Sequence, residues 1–116
     1  VSAPQQNRRR LEAAGADIIE APETSGGIAL SPLMDRLGAM GVASLLIEGG
    51  GRVIGSAVRE AVVDRVYMFY GPKILGGDDG TPICGGPGPE RLADAVALRN
   101  LRVHRFENDV MIEADV

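Results

Sequence analysis

The sequence predicts an α/β domain with helices flanking a mixed sheet that is parallel in its middle and antiparallel at one edge. Three observations predict it: two short unbroken apolar runs, 42–47 and 66–70; helical amphipathic patterns before and between them; and two closing segments of period-2 alternation, 98–106 and 110–116. In chain order, Asn7 to Ala14 combines Arg8, Arg9 and Arg10 with Leu11, Ala13 and Ala14, and Gly15 follows as the C′ stop of a short helix. Asp17 to Glu20 reads as a brief strand and Pro22 to Gly27 as a turn. Ser31 is placed as an N-cap with Pro32 at N1, opening a helix to about Met40. Leu33, Met34, Leu37 and Met40 keep helical spacing there, and Gly41 ends it.

Val42 to Ile47 reads as a short apolar run, the pattern of a strand covered on both faces. Three glycines turn the chain, and from Arg52 the residues Val53, Ile54, Ala57, Val58, Ala61 and Val62 mark one helical face, leaving Arg59 and Glu60 on the wet side. Asp64 to Tyr70 reads as a second buried strand, closed by Gly71-Pro72. The loop from Gly76 to Pro89 carries glycine at 76, 77, 80, 85, 86 and 88, so it is irregular and lies near the surface or a ligand. A short helix is expected over Glu90 to Val96. The two closing segments then form a hairpin through Glu107-Asn108-Asp109.

Composition narrows the function classes. A chain of 116 residues, 45% hydrophobic and 24% charged, is one globular domain or part of one. Twelve Lys and Arg against 16 Asp and Glu give a formal charge of −4, and no basic stripe interleaves with aromatics, so nucleic acid is not an expected partner. A single cysteine, Cys84, and a single histidine, His104, make neither a disulfide framework nor a clustered zinc site. No apolar run approaches the roughly 20 residues of a bilayer span, and the first residues lack signal-peptide character, so the expected location is the cytoplasm, a reducing compartment. The chain lacks an initiating Met and opens in a Pro-containing turn, which reads as a piece cut from something longer.

The most informative run is Ser44 to Ser56, where a strand turns into a helix through Glu48-Gly49-Gly50-Gly51. Helix N-termini expose unpaired N–H groups and a partial positive charge, and glycines admit a close approach of backbone to a phosphate. Gly50, Gly51, Arg52, Val53, Ile54, Gly55 and Ser56 fit such a segment, although glycines that merely turn the chain remain an equal alternative on spacing alone. Two familiar motifs fail. A dinucleotide fingerprint begun at Gly49 meets Ile54 where glycine is required, and a P-loop begun at Gly50 meets Ser56 where lysine is required. Glu48, at the end of an apolar strand, is costly to bury without a partner, so it either accepts from the ring N–H donors of a ligand or caps the turn or pairs with an arginine. His104, Cys84, Lys73, Asp64, the Asp78-Asp79 pair and the Arg8-Arg9-Arg10 cluster carry no positioned partner and read as structural or solvated.

Leu45-Leu46-Ile47-Glu48-Gly49-Gly50, then an apolar helix, then Val62-Val63-Asp64-Arg65-Val66, then Pro72-Lys73-Ile74-Leu75-Gly76-Gly77, together resemble the C-terminal reductase domain of the bacterial riboflavin biosynthesis protein RibD. The resemblance runs from about residue 7 to the end and implies a dihydrofolate-reductase-like fold. It implies NADPH as cofactor and reduction of the ribosyl group of 5-amino-6-(5-phosphoribosylamino)uracil to ribityl. It assigns Glu48 to substrate binding and Gly50 through Ser56 to the cofactor, and it assigns no proton donor. The family's domain is longer, with an N-terminal part that adds a strand, cofactor contacts and basic residues for the substrate phosphate; with a single His and a single Cys, residues 1–116 are not expected to include any of the zinc deaminase domain that often precedes it. Residues 1–116 therefore resemble the C-terminal portion of that domain. Two other readings stand beside this one: a relative acting on a pterin or another heterocycle, since Glu-Gly-Gly-Gly recurs among dihydrofolate-reductase-like proteins, and a noncatalytic dimerisation fragment. The apolar terminal strands make a homodimer the expected assembly.

Overall fold

The computed structural model describes residues 4–24 and 27–116, so expectations resting on Val1 to Ala3, or on Ser25 and Gly26 of the turn, lie outside the described residues. The chain divides into two compact units, residues 1–43 and 44–116.

In the first unit, helix α1 spans Gln5–Ala13, starting two residues earlier than expected because the Pro4 carbonyl accepts from the N–H of Asn7 and Arg8 at 2.9 and 3.2 Å. Its end matches the sequence reading. Gly15 takes φ +85°, the Ala16 N–H donates to the Leu11 carbonyl and the Gly15 N–H to the Glu12 carbonyl, both at 3.0 Å, closing a Schellman motif. The expected strand over Asp17 to Glu20 forms no ladder. Arginines reach its last residue instead: Arg8 pairs with the Glu20 carboxylate, and Arg36 donates to the Glu20 carbonyl at 3.2 Å.

Strands β1 (Glu23–Thr24) and β2 (Gly27–Ile28) pair antiparallel, and helix α2 follows over Leu30–Ala39. Ala29, not Ser31, is the N-cap, with its N–H donated to the Pro22 carbonyl at 2.8 Å. Ser31 and Pro32 thus sit inside the first turn, where proline costs little because that N–H has no intrahelical acceptor. Gly41, at φ +88°, ends α2 with the same pair of reverse bonds, Val42 to Leu37 and Gly41 to Gly38.

In the second unit, helix α3 spans Gly51–Arg59 and stops short of the expected Val62. Ala61 enters the left-handed region at φ +52°, and Val62 and Ala61 donate to the Ala57 and Val58 carbonyls at 3.1 and 3.2 Å. The third helix therefore ends as the other two do, without their glycine. Strand β3 (Arg65–Tyr70) follows, and after a long loop come β4 (Arg99–Phe106) and β5 (Asp109–Asp115). The order is β3-β5-β4, with β5 antiparallel to both neighbours, Tyr67 opposite Glu113 and Val103 opposite Ile112. Period-2 alternation puts Val66, Met68, Val103, Val110, Ile112 and Ala114 on one face. Arg65, Tyr67, Arg102, His104, Met111, Glu113 and Asp115 lie on the other.

Three further expectations need correction. Every strand pair among the described residues is antiparallel, so the parallel middle of the sheet is not seen; the run 42–47 has no ladder partner there, and Leu46 stays 68% exposed. A strand exists through its inter-strand bonds, and apolar composition alone does not create them. The helix expected over 90–96 shrinks to a 3₁₀ turn, Leu92–Asp94. With Leu92 91% exposed, that segment buries no apolar face to offset the cost of starting a helix.

Candidate functional site

The N-terminus of α3 is where the sequence-derived residues meet. Gly50 is its N-cap at φ +71°, a conformation that disfavours any side chain, and an added Cβ there would meet only the Val53 Cγ2 at 3.8 Å. Gly49 faces open space. The first helical bonds run from Val53 and Ile54 to the Gly50 carbonyl, at 2.9 and 3.1 Å, so the N–H groups of Gly51 and Arg52 precede any intrahelical acceptor. No side chain caps this end and the first turn holds no acid, so its partial positive charge is not neutralised from within the helix. Arg52, exposed, adds a full cation beside it. This is a donor set suited to a phosphate group.

The structure divides the expected cofactor segment in two. Gly50, Arg52 and Val53 are exposed, while Gly55 and Ser56 are buried and turned toward the glycine loop. A Cβ on Gly51 would collide with the Pro82 carbonyl, and one on Gly55 with the Gly85 carbonyl, so both glycines let loop and helix backbones touch. The Gly85 N–H donates to the Gly51 carbonyl at 2.7 Å. Gly85 also sits beside the Arg52 N–H, where its own Cβ would lie 3.2 Å from that nitrogen. The loop is thus a wall of the same site.

Arg59 holds that wall at its far end. Its Nη1 donates to the carbonyls of Gly85 and Pro87, at 3.1 and 3.4 Å, and its Nη2 to the Ser56 hydroxyl oxygen at 3.0 Å. Sequence reading places Arg59 on the wet side, and it is exposed, yet it grips a loop. The signal was the spacing Gly51, Gly55, Arg59, each four residues on, which aligns two absent side chains and one long one along a single flank.

Glu48 stands two residues before Gly50 and is exposed, with Ile47 beside it half-buried, so within this chain the carboxylate is not the buried group that the apolar run implied. Its position next to the bare helix end is as expected. Among the other candidates, His104 Nε2 lies 3.0 Å from the Glu113 carboxylate on the polar face of the sheet, and Cys84 is exposed in the loop. No helix of the described residues is long and apolar enough to cross a membrane.

The family model described as the RibD C-terminal domain matches residues 1–112. The riboflavin biosynthesis protein RibD of Actinobacillus pleuropneumoniae is 28% identical over 113 residues, 97% of this chain and 30% of that protein. The 2,5-diamino-6-ribosylamino-4(3H)-pyrimidinone 5′-phosphate reductase of Methanothermobacter thermautotrophicus is 33% identical over 84 residues, 72% of this chain and 39% of that protein. Among solved structures, Acinetobacter baumannii RibD aligns with a TM-score of 0.78 at 19% identity, over 93% of this chain and 28% of its own, a likeness of fold. The chain therefore spans less than half the length of these relatives.

Proposed function

The chain belongs to the RibD C-terminal domain family, and from that membership we propose that residues 1–116 are the C-terminal part of a riboflavin-pathway reductase domain. The reaction is reduction of the ribosyl group of 5-amino-6-(5-phosphoribosylamino)uracil to ribityl, with NADPH as cofactor. The observation that carries it is the uncapped, acid-free N-terminus of α3 beside Glu48, in a chain the family matches almost end to end.

Bound here, NADPH would supply the hydride for a new C1′–H bond, while the C1′–O4′ ring bond opens and the ring oxygen takes a proton from solvent or a side chain. The chain's own residues bind and orient. The Gly51 and Arg52 N–H groups donate to a cofactor phosphate, with the Arg52 guanidinium adding charge. Gly50 leaves room for that approach, and Val53 and Ile54 continue the wall. Gly55 and Ser56 act one layer below, seating the loop that borders the site. Glu48 accepts from ring N–H groups of the pyrimidine and fixes its orientation, so that C1′ stays near the hydride. The protein is further proposed to work in the cytoplasm as a homodimer.

One observation favours a second substrate. Two archaeal relatives carry the name of the 2,5-diamino-pyrimidinone phosphate reductase, one of them 39% identical over 59 residues. The two substrates differ at ring C2, amino in one and oxo in the other, which leaves the reducing chemistry and the role of Glu48 the same.

The test is a steady-state assay of the full-length protein with NADPH and each pyrimidine in turn, for wild type and Glu48→Gln. The substitution is expected to lower kcat/KM about 10- to 100-fold, the worth of a hydrogen bond to a charged acceptor, and to leave NADPH affinity unchanged. An E48Q enzyme with wild-type kcat/KM on both substrates would remove Glu48 from the site. Absence of NADPH oxidation by the wild type would remove the function.

A further inference from the structure

We propose that Arg59 is a positioning residue of the cofactor cradle, acting through the loop 82–87 that it holds against α3; this rests on the reading of Gly50 to Ser56 as the NADPH-binding segment. The loop is fastened at two points. At the front, the Gly85 N–H donates to the Gly51 carbonyl at 2.7 Å; at the rear, the Arg59 guanidinium takes the Gly85 and Pro87 carbonyls at 3.1 and 3.4 Å. The same guanidinium is aimed by the Ser56 hydroxyl at 3.0 Å, and Ser56 is buried. Between these points the contact is backbone against backbone, through Gly51, Gly55 and Gly85.

A loop of this composition has few side chains with which to anchor itself. Glycine gives up more conformational freedom on ordering than any other residue, so Gly85 and Gly86 need an external tie to stay in place. Arg59 is suited to that tie because a planar guanidinium presents several donors in fixed directions and can serve two carbonyls and a hydroxyl at once. Lysine, with a single flexible ammonium, serves fewer. What the tie protects is the position of Gly85 beside the Arg52 N–H, one of the two free donors at the helix end. With the rear fastening cut, the wall beside that donor becomes mobile, and a bound phosphate must order it anew. The cost falls on cofactor affinity rather than on the pyrimidine.

The test titrates the full-length protein with NADPH by fluorescence, for wild type, Arg59→Met and Arg59→Lys, together with hydrogen exchange at the Gly85 amide. Arg59→Met is expected to raise the NADPH Kd about tenfold and to speed exchange at Gly85, with the KM for the pyrimidine unchanged; Arg59→Lys should fall between it and wild type. A purely structural role would reduce the folded fraction but leave the Kd of the folded molecules as it was. Wild-type Kd in folded Arg59→Met overturns the inference, and if that variant does not fold, wild-type Kd in Arg59→Lys overturns it. Failure of the wild type to bind NADPH is a different result: it removes the cofactor reading, and the inference with it.

Discussion

Two regions of the second unit are held together by opposite means. Along α3 the contact with loop 82–87 depends on side chains being absent, because Gly51, Gly55 and Gly85 allow two backbones to touch. Across the polar face of the sheet the contact depends on long charged side chains. Glu113 receives Arg65 at 3.2 Å, Arg102 at 3.4 Å and His104 at 3.0 Å, and Asp115 receives Arg65 at 2.9 Å and Asn100 at 2.9 Å. The first arrangement tolerates no added atom, whereas the second can lose a partner and find water. Sensitivity to substitution should therefore concentrate at the glycines.

The largest effect is expected at Gly55→Ala. The new methyl would overlap the Gly85 carbonyl, so either the loop leaves or the helix shifts, at about 1–3 kcal/mol, the usual range for overpacking. Urea denaturation would measure it. A change within experimental error would mean that the loop can shift at no cost, and the comparison would fail at its strong end.

A smaller effect is expected on the sheet. Glu113→Gln removes the charge that Arg65 and Arg102 share, yet Arg65 keeps Asp115, and Arg102 is largely exposed, so the loss should be about 1 kcal/mol or less. Equilibrium unfolding in low and high salt checks this, since screening should erase most of the difference. A loss larger than that of Gly55→Ala would reverse the ranking.

The smallest effect appears only in acid. Hydrogen bonds from Asn100 and Arg65 hold the Asp115 carboxyl below its ordinary value of 3.8. A group depressed on folding contributes stability that is present above its unfolded value and lost as pH falls through the folded one. Stability should therefore fall along a limb that starts near the ordinary carboxylate value and continues below it, and Asp115→Asn should flatten that limb. An unchanged acid limb in Asp115→Asn would assign the loss to other carboxylates.

What the sequence made legible follows from the range of the interactions involved. The ends of α1 and α2 could be read from Gly15 and Gly41, because a Schellman motif is local and rewards glycine at one position. The hairpin of β4 and β5 was legible from alternation and a polar turn, with Glu107 at φ +55° completing it. The run 42–47 misled, because its apolar pattern describes what a strand would bury and not whether another strand lies beside it. The short helix over 90–96 misled through local propensity without packing. Gly50 could be placed from the glycine run ahead of an amphipathic helix, and it is the N-cap of α3, with the exposed Glu48 two residues before it. Arg59 was missed because exposure and charge read as solvation until the loop it grips is seen.

The most direct test of a cofactor cradle at α3 is backbone amide NMR of the full-length protein during titration with NADPH. The Gly51 and Arg52 amides are expected to shift most, with Ile83 to Gly86 following as the adjoining wall responds. Saturable NADPH binding that leaves the amides of residues 50–56 unmoved would contradict it.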